Sequence, residues 1–439
     1  MKKVYVADIL RRKCGNVELL GWVSRIHRLG KIVFITVDDS TGSIQIVINK
    51  NSVDKQLWDK AGKLVLETAV KVKGKMANNS LHKNKEILAD ELEIVGSSDF
   101  SLSPSPRSDI DIFDPRFAKL LLDKRHIYIR NPRYIYILKV RHIIIGFIRR
   151  WFDGEGFVEI QAPILTPVNL YEDKSAMQIK IDKRQVFLTQ CVGFYLEAAV
   201  HALEKVYNIG PSFRAEETHS PRHLMEYWHI KSEVAFANLE DIIDLVERLI
   251  KDLTIELGKN QCFNTPILGT KFCLDGCNIP FPRIKYTEAI DYLHAKGVKV
   301  EFGRSLGPKG EVELSRKFKD TLFWITGMPR KVEPFPYVVD SADSRVTRTA
   351  DLIASRGFGE LLGVAEKISD INSLKGRMRE KGKLNDLRYK WVEEVHQLGC
   401  VPHAAMGMGV ERLVRWILGI PHVKDTIPFP RLFRRRVYP

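Results

Sequence analysis

"PSFRAEETHSPRHLMEYWHIKSEVAF", residues 211–236, places Arg214, Glu216, Arg222, His223 and Glu226 between two apolar runs, and sets a lysine, Lys231, on what reads as a buried strand. The pattern predicts a β-hairpin on which Arg214 and Glu216 point to one face, with Arg222 and His223 in the loop that follows. Arginine offers a planar fork to phosphate oxygens. Glu216 and Glu226 can accept from an exocyclic amine, and Tyr227 can stack on a base. The set suits a nucleoside triphosphate. A solvated hairpin with exposed ion pairs is the other reading of the same residues.

Strand-like runs flank this stretch: "FVEIQAP", "QVFLTQ" and "VYNIGPSFRAE" before or within it, "GELLGVAEKI" well after it. "RYIYILKVRHIIIGFIRRWFDGEGF" has the period of a long amphipathic helix ending at Gly154 or Gly156, a second long helix spans about 239–257, and 370–398 is helical in pattern. There is no repeated βαβ pattern and no G-x-G-x-x-G opening a helix. The expectation is an α+β unit, an antiparallel sheet with helices packed on it. In "ADLIASRGFGELLG", Asp351 and Glu360 are candidate ligands for a hard cation, or else two surface acids. In "GMGVERL", Gly407 and Gly409 read as a turn that lets backbone approach a ligand, feeding a helix with Arg412 in its first turn. Arg412 is then a further phosphate contact, or one half of a helix-surface pair with Glu411.

Residues 16–96 read differently. "VELLGWVSRI", "KIVFITVDD", "SIQIVIN" and "AVKVKGKM" are short and alternating, with one helical segment in "KQLWDKAGKLVLET". A small barrel of the OB kind is expected, with a β-sandwich as the alternative. Phe34 and Gln45 fall on neighbouring strands, an aromatic to stack a base and an amide to read its edge, or a core Phe and a surface Gln. A Ser/Pro/Asp-rich stretch follows. The expected organisation is therefore 1–100 barrel, 101–134 linker or hinge, and 135–439 catalytic unit.

Composition limits the class of protein. With 439 residues, 44% hydrophobic and 28% charged, two soluble globular domains are expected. No apolar run approaches the ~20 residues that span a bilayer, and no secretion signal opens the chain, so a cytoplasmic protein without membrane contact is expected. The net charge of +15 suits a polyanionic partner, most simply nucleic acid, or else a lysine-rich solvated surface. The 6 cysteines are scattered and expected to be reduced. Cys273 and Cys277, with Cys262 upstream, lack an obvious fourth ligand for zinc.

Together the quoted stretches resemble the class IIb aminoacyl-tRNA synthetases. "FRAEETHSPRHLMEYW" is similar to the second signature motif of class II, "GMGVERL" to the third, and "GFVEIQAPILTP" to the first, with Pro163 as its proline. "GWVSRIHRLGKIVFITVDDSTGSIQIVI" resembles the anticodon-binding OB domain of the aspartyl/asparaginyl/lysyl subclass. The asparaginyl enzymes of archaeal type are the nearest group, and the nine-residue step from Asp351 to Glu360 suits them. The resemblance implies ATP-dependent formation of an aminoacyl adenylate, transfer to tRNA, and a homodimer. It implies that Arg214 holds the α-phosphate. It assigns the outer phosphates to Arg222, His223 and Arg412, and adenine to Glu226 and Tyr227. Asp351 and Glu360 would hold Mg2+, and His27, Phe34 and Gln45 would form the RNA face of the barrel.

At the amino-acid end the chain departs from the family. The acid that lines the pocket is Lys231. The Gln of "SxQ" is Gly193. The Glu of "EGGA" falls at Tyr171, one step from Glu172. In "GVAEK", after Gly363, Lys367 replaces the arginine that reads the substrate side chain. The glycine pair before the third motif is Ala404 and Ala405. These exchanges predict weak binding of asparagine or aspartate unless Glu172 or another acid compensates. Two alternatives follow: a paralogue that adenylates another small carboxylic acid or makes a free amide without charging tRNA, and a non-catalytic RNA-binding protein that kept the fold.

Overall fold

A computed structural model describes the chain except residues 1–3, 12–13, 80–83, 99–103, 172–174, 216–219, 261–267, 269–276 and 278. Two compact units meet at Pro132/Arg133 in the chain.

In the first unit, β1 (Asn16–Leu29), β2 (Ile32–Asp38), β3 (Ser43–Asn49), β4 (Ala69–Asn79) and β5 (Asn84–Gly96) close a barrel in the order β1-β2-β3-β5-β4. Val33, Ile35 and Val37 of β2 and Ile44, Ile46 and Ile48 of β3 point inward at the period of two that strand geometry imposes. Closure removes the sheet edges, which a sandwich would leave open. β5 is not evident from the sequence pattern, because "ADELE" interrupts its apolar alternation with outward-facing acids. The helical period in "KQLWDKAGKLVLET" yields helix Lys55–Lys63, capped by Asp54 Oδ1 accepting from Leu57 N at 2.7 Å.

Residues 104–131, inside the stretch expected to be a linker, carry short helices and make specific contacts within the first unit. The Tyr128 hydroxyl donates to Pro104 O at 2.8 Å, and Asn131 Nδ2 donates to Pro106 O and Ser108 O. Arg107 and Arg130 both pair with Glu67, at 3.2 and 3.1 Å.

The second unit holds β6 (Val158–Glu159), β7 (Leu165–Thr166), β8 (Gln178–Ile181), β9 (Arg184–Leu188), β10 (Lys205–Phe213), β11 (Glu226–Ala235), β12 (Arg283–Lys285), β13 (Phe323–Thr326), β14 (Thr349–Ala354), β15 (Gly359–Lys367) and β16 (His403–Gly409). Eight of them form a sheet ordered β12-β13-β14-β15-β16-β11-β10-β6, antiparallel from β13 to β10 and parallel at both edge pairs. β7, β9 and β8 make a small separate sheet. The long helices are Pro132–Gly154 and Leu239–Lys259. Asn238 starts the latter with a capping box, accepting from Glu240 N and Asp241 N while Asp241 accepts from Asn238 N. No described helix is long and apolar enough to cross a membrane.

Two expectations are corrected. The span 370–398 is two helices, Ile371–Glu380 and Lys390–Gln397, broken where Gly382 takes φ +65°. "AAMGMG" is not a turn but strand β16, which feeds helix Val410–Leu418 directly. Gly407 is set by what faces it. A Cβ on Gly407 would lie 2.8 Å from Lys231 Nζ and 3.0 Å from His229 Nε2.

Candidate active site

Antiparallel registry aligns side chains across the sheet, because directly opposed residues share a face. One row runs Asn208, Lys231, Gly407, Gly363, Asp351. The next row towards the C-terminal end of β11 runs Val206, Glu233, Ala405, Ala365, Thr349, and His403 opposes both Ala235 and Lys367 beyond it. In the other direction His229 opposes Gly409. The motifs thus lie along one continuous surface, with Tyr227 and His229 towards one end and Glu233 and Lys367 towards the other.

At the Tyr227 end, Arg214, Arg222, His223, Tyr227, His229, Glu360, Gly407, Gly409 and Arg412 line one cavity. The Arg214 guanidinium lies 5.4 Å from the Tyr171 ring centre and 5.7 Å from that of Tyr227, between two aromatic faces. Arg222 Nη1 pairs with Glu311 Oε2 at 2.5 Å. That contact crosses Gly359, where φ is +76° and a Cβ would sit 1.6 Å from Arg222 Nη1, so only glycine serves there. Arg412 Nη1 reaches Glu360 Oε2 at 3.0 Å and Glu360 O at 3.1 Å, and its Nη2 donates to His223 Nε2 at 3.4 Å. Burial and the cations Arg412, Arg214 and Arg222 push the His223 imidazole down to about 4, which keeps it neutral and able to accept. His229 is lowered too, by burial and by Lys231 and Arg214, and its Nδ1 meets the Ser212 hydroxyl at 3.3 Å.

Glu226 opens β11 opposite Phe213 and bridges to Arg431, and it is not among the residues lining the cavity. Glu216 and Glu172 lie outside the described residues. Asp351 is raised by burial and by the Glu360 and Glu333 carboxylates, whereas Glu360 is held down by Arg412. Glu333, pushed up to about 7 by burial and Glu360, joins them from a loop that carries no motif in the sequence.

The Lys367 end is where the chain departs from its family, and the departures fit one another. Lys367 Nζ bonds Glu197 Oε2 at 2.5 Å, Glu233 Oε1 at 2.7 Å and Gly193 O at 3.3 Å. Its three protons therefore meet three acceptors. A Cβ on Gly193 would be 3.3 Å from Cys191 Sγ and within 3.8 Å of Lys367 Nζ, so the missing Gln side chain leaves the space this cluster occupies. The expectation that Lys367 faces a substrate side chain is corrected: its donors are consumed inside the protein. Glu197 and Glu233 meet Lys367 and not Lys231, for which no ion pair is seen among the described residues. Neither glutamate stands out in the sequence, because each lies in an ordinary apolar context and meets its partner from 134 or more positions away.

His201, Cys400 and His403 also approach one another closely enough to hold a metal ion. Both His201 ring nitrogens are already engaged, Nδ1 with Glu197 O at 2.6 Å and Nε2 with Val401 N at 3.2 Å. Of the cysteines spaced for zinc, Cys262 and Cys273 lie outside the described residues.

In the first unit, His27 opposes Phe34 across β1–β2, and Thr36 opposes Gln45 across β2–β3. Phe34 alternates with the fully buried Val33 and Ile35, so it is half-buried on the outer face with Gln45, not in the core. Gln45 Nε2 donates to Glu86 Oε2 at 3.2 Å. Asp38 and Asp39 serve the fold: Asp38 Oδ1 accepts from Ser24 Oγ at 2.8 Å, and Asp39 Oδ2 from Val6 N at 2.8 Å.

Comparison with known proteins agrees with this geometry. Residues 118–432 match the tRNA synthetases class II (D, K and N), and residues 17–95 match the OB-fold nucleic acid binding domain. The chain is 35% identical to the asparagine–tRNA ligase of Pyrococcus furiosus over 447 aligned positions, covering 100% of both chains. It is 34% identical to that of Thermococcus kodakarensis, covering 100% of this chain and 99% of the other. Among solved structures, asparaginyl-tRNA synthetase from Pyrococcus horikoshii complexed with asparaginyl-adenylate superposes with a TM-score of 0.90 at 34% identity, with 100% of each chain covered. Sequence and topology coincide over the full length, the second and third signature motifs share one sheet surface, and the chain belongs to the class II tRNA synthetases of the D, K and N group.

Proposed function

We propose that the chain is a ligase of the asparaginyl-tRNA synthetase type, activating an amino acid with ATP and transferring it to tRNA. The observation that carries this is the convergence of Arg214, Arg222 and Arg412 on one cavity beside a neutral His223. Three cations and no positioned nucleophile suit a reaction whose demand is charge stabilisation at phosphorus. The amino-acid carboxylate attacks the α-phosphorus. The bond to the bridging oxygen breaks, and pyrophosphate leaves with the electron pair. The tRNA 3′-terminal hydroxyl then attacks the adenylate carbonyl, and AMP departs.

In this reading Arg214 holds the α-phosphate while Tyr227, with Glu226 beside it, receives adenine. Arg222, His223 and Arg412 hold the outer phosphates. Arg222 reaches them by exchanging Glu311 for phosphate. Asp351 makes no ion pair among the described residues, and it and Glu360 are hard-oxygen groups of the kind Mg2+ takes; together with Glu333 they do not converge to ligand distance in this structure. Asp351 and Glu360 would hold the ion, which when bound neutralises phosphate charge. A homodimer and a cytoplasmic location belong to the same reading. The paralogue reading, with its different carboxylate or tRNA-free amide synthesis, loses part of its support because Lys367 is matched by Glu197 and Glu233, and the full-length likeness to asparagine–tRNA ligases favours the first reading. The non-catalytic reading does not account for the assembled nucleotide cavity.

The test is ATP–pyrophosphate exchange with magnesium and a panel of amino acids, followed by tRNA charging. Exchange with asparagine and formation of asparaginyl-tRNA are expected. Exchange with none of the panel, alongside ATP binding, would overturn the reading. The barrel makes a separate prediction: Phe34→Ala weakens tRNA binding by ~1–3 kcal/mol, as loss of a stacking platform does. Adenylate formation should be unaltered. Equal tRNA affinity in a filter-binding titration would remove Phe34 from the RNA face.

A further inference from the structure

Beyond Lys367 lies a set of side chains that takes no part in the nucleotide cavity. His403 opens β16, Cys400 precedes it by three residues, and His201 sits in the last turn of helix Gly193–Leu203. A ligand atom from each lies within 4.8 Å of the other two. Glu197, one helical turn before His201, borders the same set.

His403 is 0% exposed, and its Nε2 has no hydrogen bond among the described residues. Its Nδ1 lies 2.9 Å from Val401 O. A carbonyl only accepts, so Nδ1 bears the proton. Burial pushes the ring down to about 4 and keeps it neutral. Nε2 is therefore a buried lone pair with no donor facing it. Glu197 Oε1, 3.9 Å away, also has no hydrogen bond, although His396 Nε2 stands 3.2 Å from it. Two acceptors cannot satisfy one another, whereas a cation between them satisfies both.

His201 is held in the same tautomer. Its Nδ1 donates to Glu197 O at 2.6 Å, which leaves the lone pair on Nε2, where it accepts from Val401 N at 3.2 Å. Both imidazoles thus have Nδ1–H fixed on a backbone carbonyl, the arrangement that orients histidine for a metal. The Cys400 thiol makes only a long contact, 3.8 Å to Val401 O. The other close set, Glu197, Glu233 and His403, offers harder donors, but Lys367 already takes Glu197 Oε2 and Glu233 Oε1. Nitrogen and sulfur donors select zinc over magnesium or calcium.

We propose that His201, Cys400 and His403 form a zinc site, with Glu197 Oε1 as the fourth ligand. On binding, the Cys400 thiol gives its proton to solvent and the thiolate bonds the ion. His201 Nε2 exchanges Val401 N–H for the ion, at the loss of one hydrogen bond. Zinc bonds of about 2.0–2.3 Å set tetrahedral ligand atoms about 3.3–3.8 Å apart, so the set closes by no more than about 1.5 Å. Cys400 and Val401 lie in the link before β16, where such a shift breaks no strand pairing. The ion ties helix Gly193–Leu203 to β16, and the assignment does not depend on which amino acid is activated.

The test is calorimetric titration of the reduced, chelator-treated full chain with zinc, beside absorption spectra with cobalt in its place. The wild type should bind zinc, gain in thermal midpoint, and show a sulfur-to-cobalt charge-transfer band. Cys400→Ser and His201→Gln should each weaken zinc binding by about a hundredfold or more, one ligand's share of the free energy of a four-ligand site. Cys400→Ser should also lose the band. Cys14→Ser and Cys273→Ser should change neither readout. Circular dichroism without zinc shows that each variant folds, and if one does not, the other carries the comparison. No uptake by the wild type at micromolar zinc, equal uptake in wild type and the Cys400 and His201 variants, or loss in Cys273→Ser instead, would overturn the assignment.

Discussion

Replacing Arg412 with alanine is expected to lower the rate of ATP–pyrophosphate exchange by about 10²–10³-fold, the scale seen when one preorganised group facing developing charge is removed. Arg412 sits in the first turn of helix Val410–Leu418, where its fork holds Glu360 and His223 and faces the cavity. The helix does not depend on it for its place. Val410, Leu413, Val414, Ile417 and Leu418 are fully buried, Arg141 pairs with Glu411 at 2.7 Å, and Trp228 N donates to the same carboxylate at 3.0 Å. The thermal midpoint should therefore shift little. Glu360, whose side chain is 42% exposed, can be hydrated when its partner is lost. Arg412→Lys should recover only part of the rate, because a point charge cannot bridge Glu360 and phosphate as a planar fork does. A variant that retains more than about a tenth of the wild-type rate, with its midpoint unchanged, would place the phosphates elsewhere.

Arg412 is legible in the sequence because its motif packs Gly407, Gly409 and the arginine into six positions, with a helical apolar face behind them. The same holds for Arg214 and Tyr227, which share one hairpin. Strand positions are legible wherever the period of two is clean, as in β2 and β3, and illegible in β5, where outward acids mask it. The glycines of β16 mislead because glycine usually marks a turn. Here it marks the place where Lys231 and His229 cross a neighbouring strand.

Pairings between distant segments are beyond the reach of sequence pattern. Arg222 is legible as a phosphate ligand, yet its partner Glu311 comes from an exposed-looking helix 89 positions away. Lys231 and Lys367 are legible as departures, and counted together they suggest a repulsive pocket. Only the side-chain contacts show that Lys367 turns towards Glu197 and Glu233 while Lys231 makes no such pair among the described residues. A substitution read by itself gives the sign of a charge but not the direction of the side chain that carries it.

Removing the buried Lys367 should have the largest effect on stability. Lys367, Glu197 and Glu233 are 4%, 2% and 0% exposed. Lys367→Met leaves two carboxylates in the interior without their shared cation, which should cost about 3–5 kcal/mol. The pH dependence identifies the cause. In the wild type burial opposes the Glu197 charge, yet Lys367, His403 and His396 together hold this carboxyl down at about 2. Its contribution to stability is present above the unfolded value of about 4.3 and is lost as pH falls towards 2. Glu233 is pushed up to about 7 by burial and by Glu197, against the pull of Lys367, so it takes up a proton on folding and costs stability as pH rises from about 4.3 to 7. Burial works to lower Lys367, but the two glutamates raise it above its ordinary value, so its contribution persists until pH passes about 10. Without Lys367 both carboxyls move up and fold as neutral acids. The variant should therefore be most destabilised at pH 7 and approach the wild type as pH falls to about 5. Adding Glu197→Gln and Glu233→Gln to Lys367→Met should recover most of the loss, because neither carboxylate is then stranded. Chemical denaturation at the two pH values separates the explanations. A gap that is the same at both, and that the glutamines do not close, would mean that Lys367 contributes by packing and not by charge.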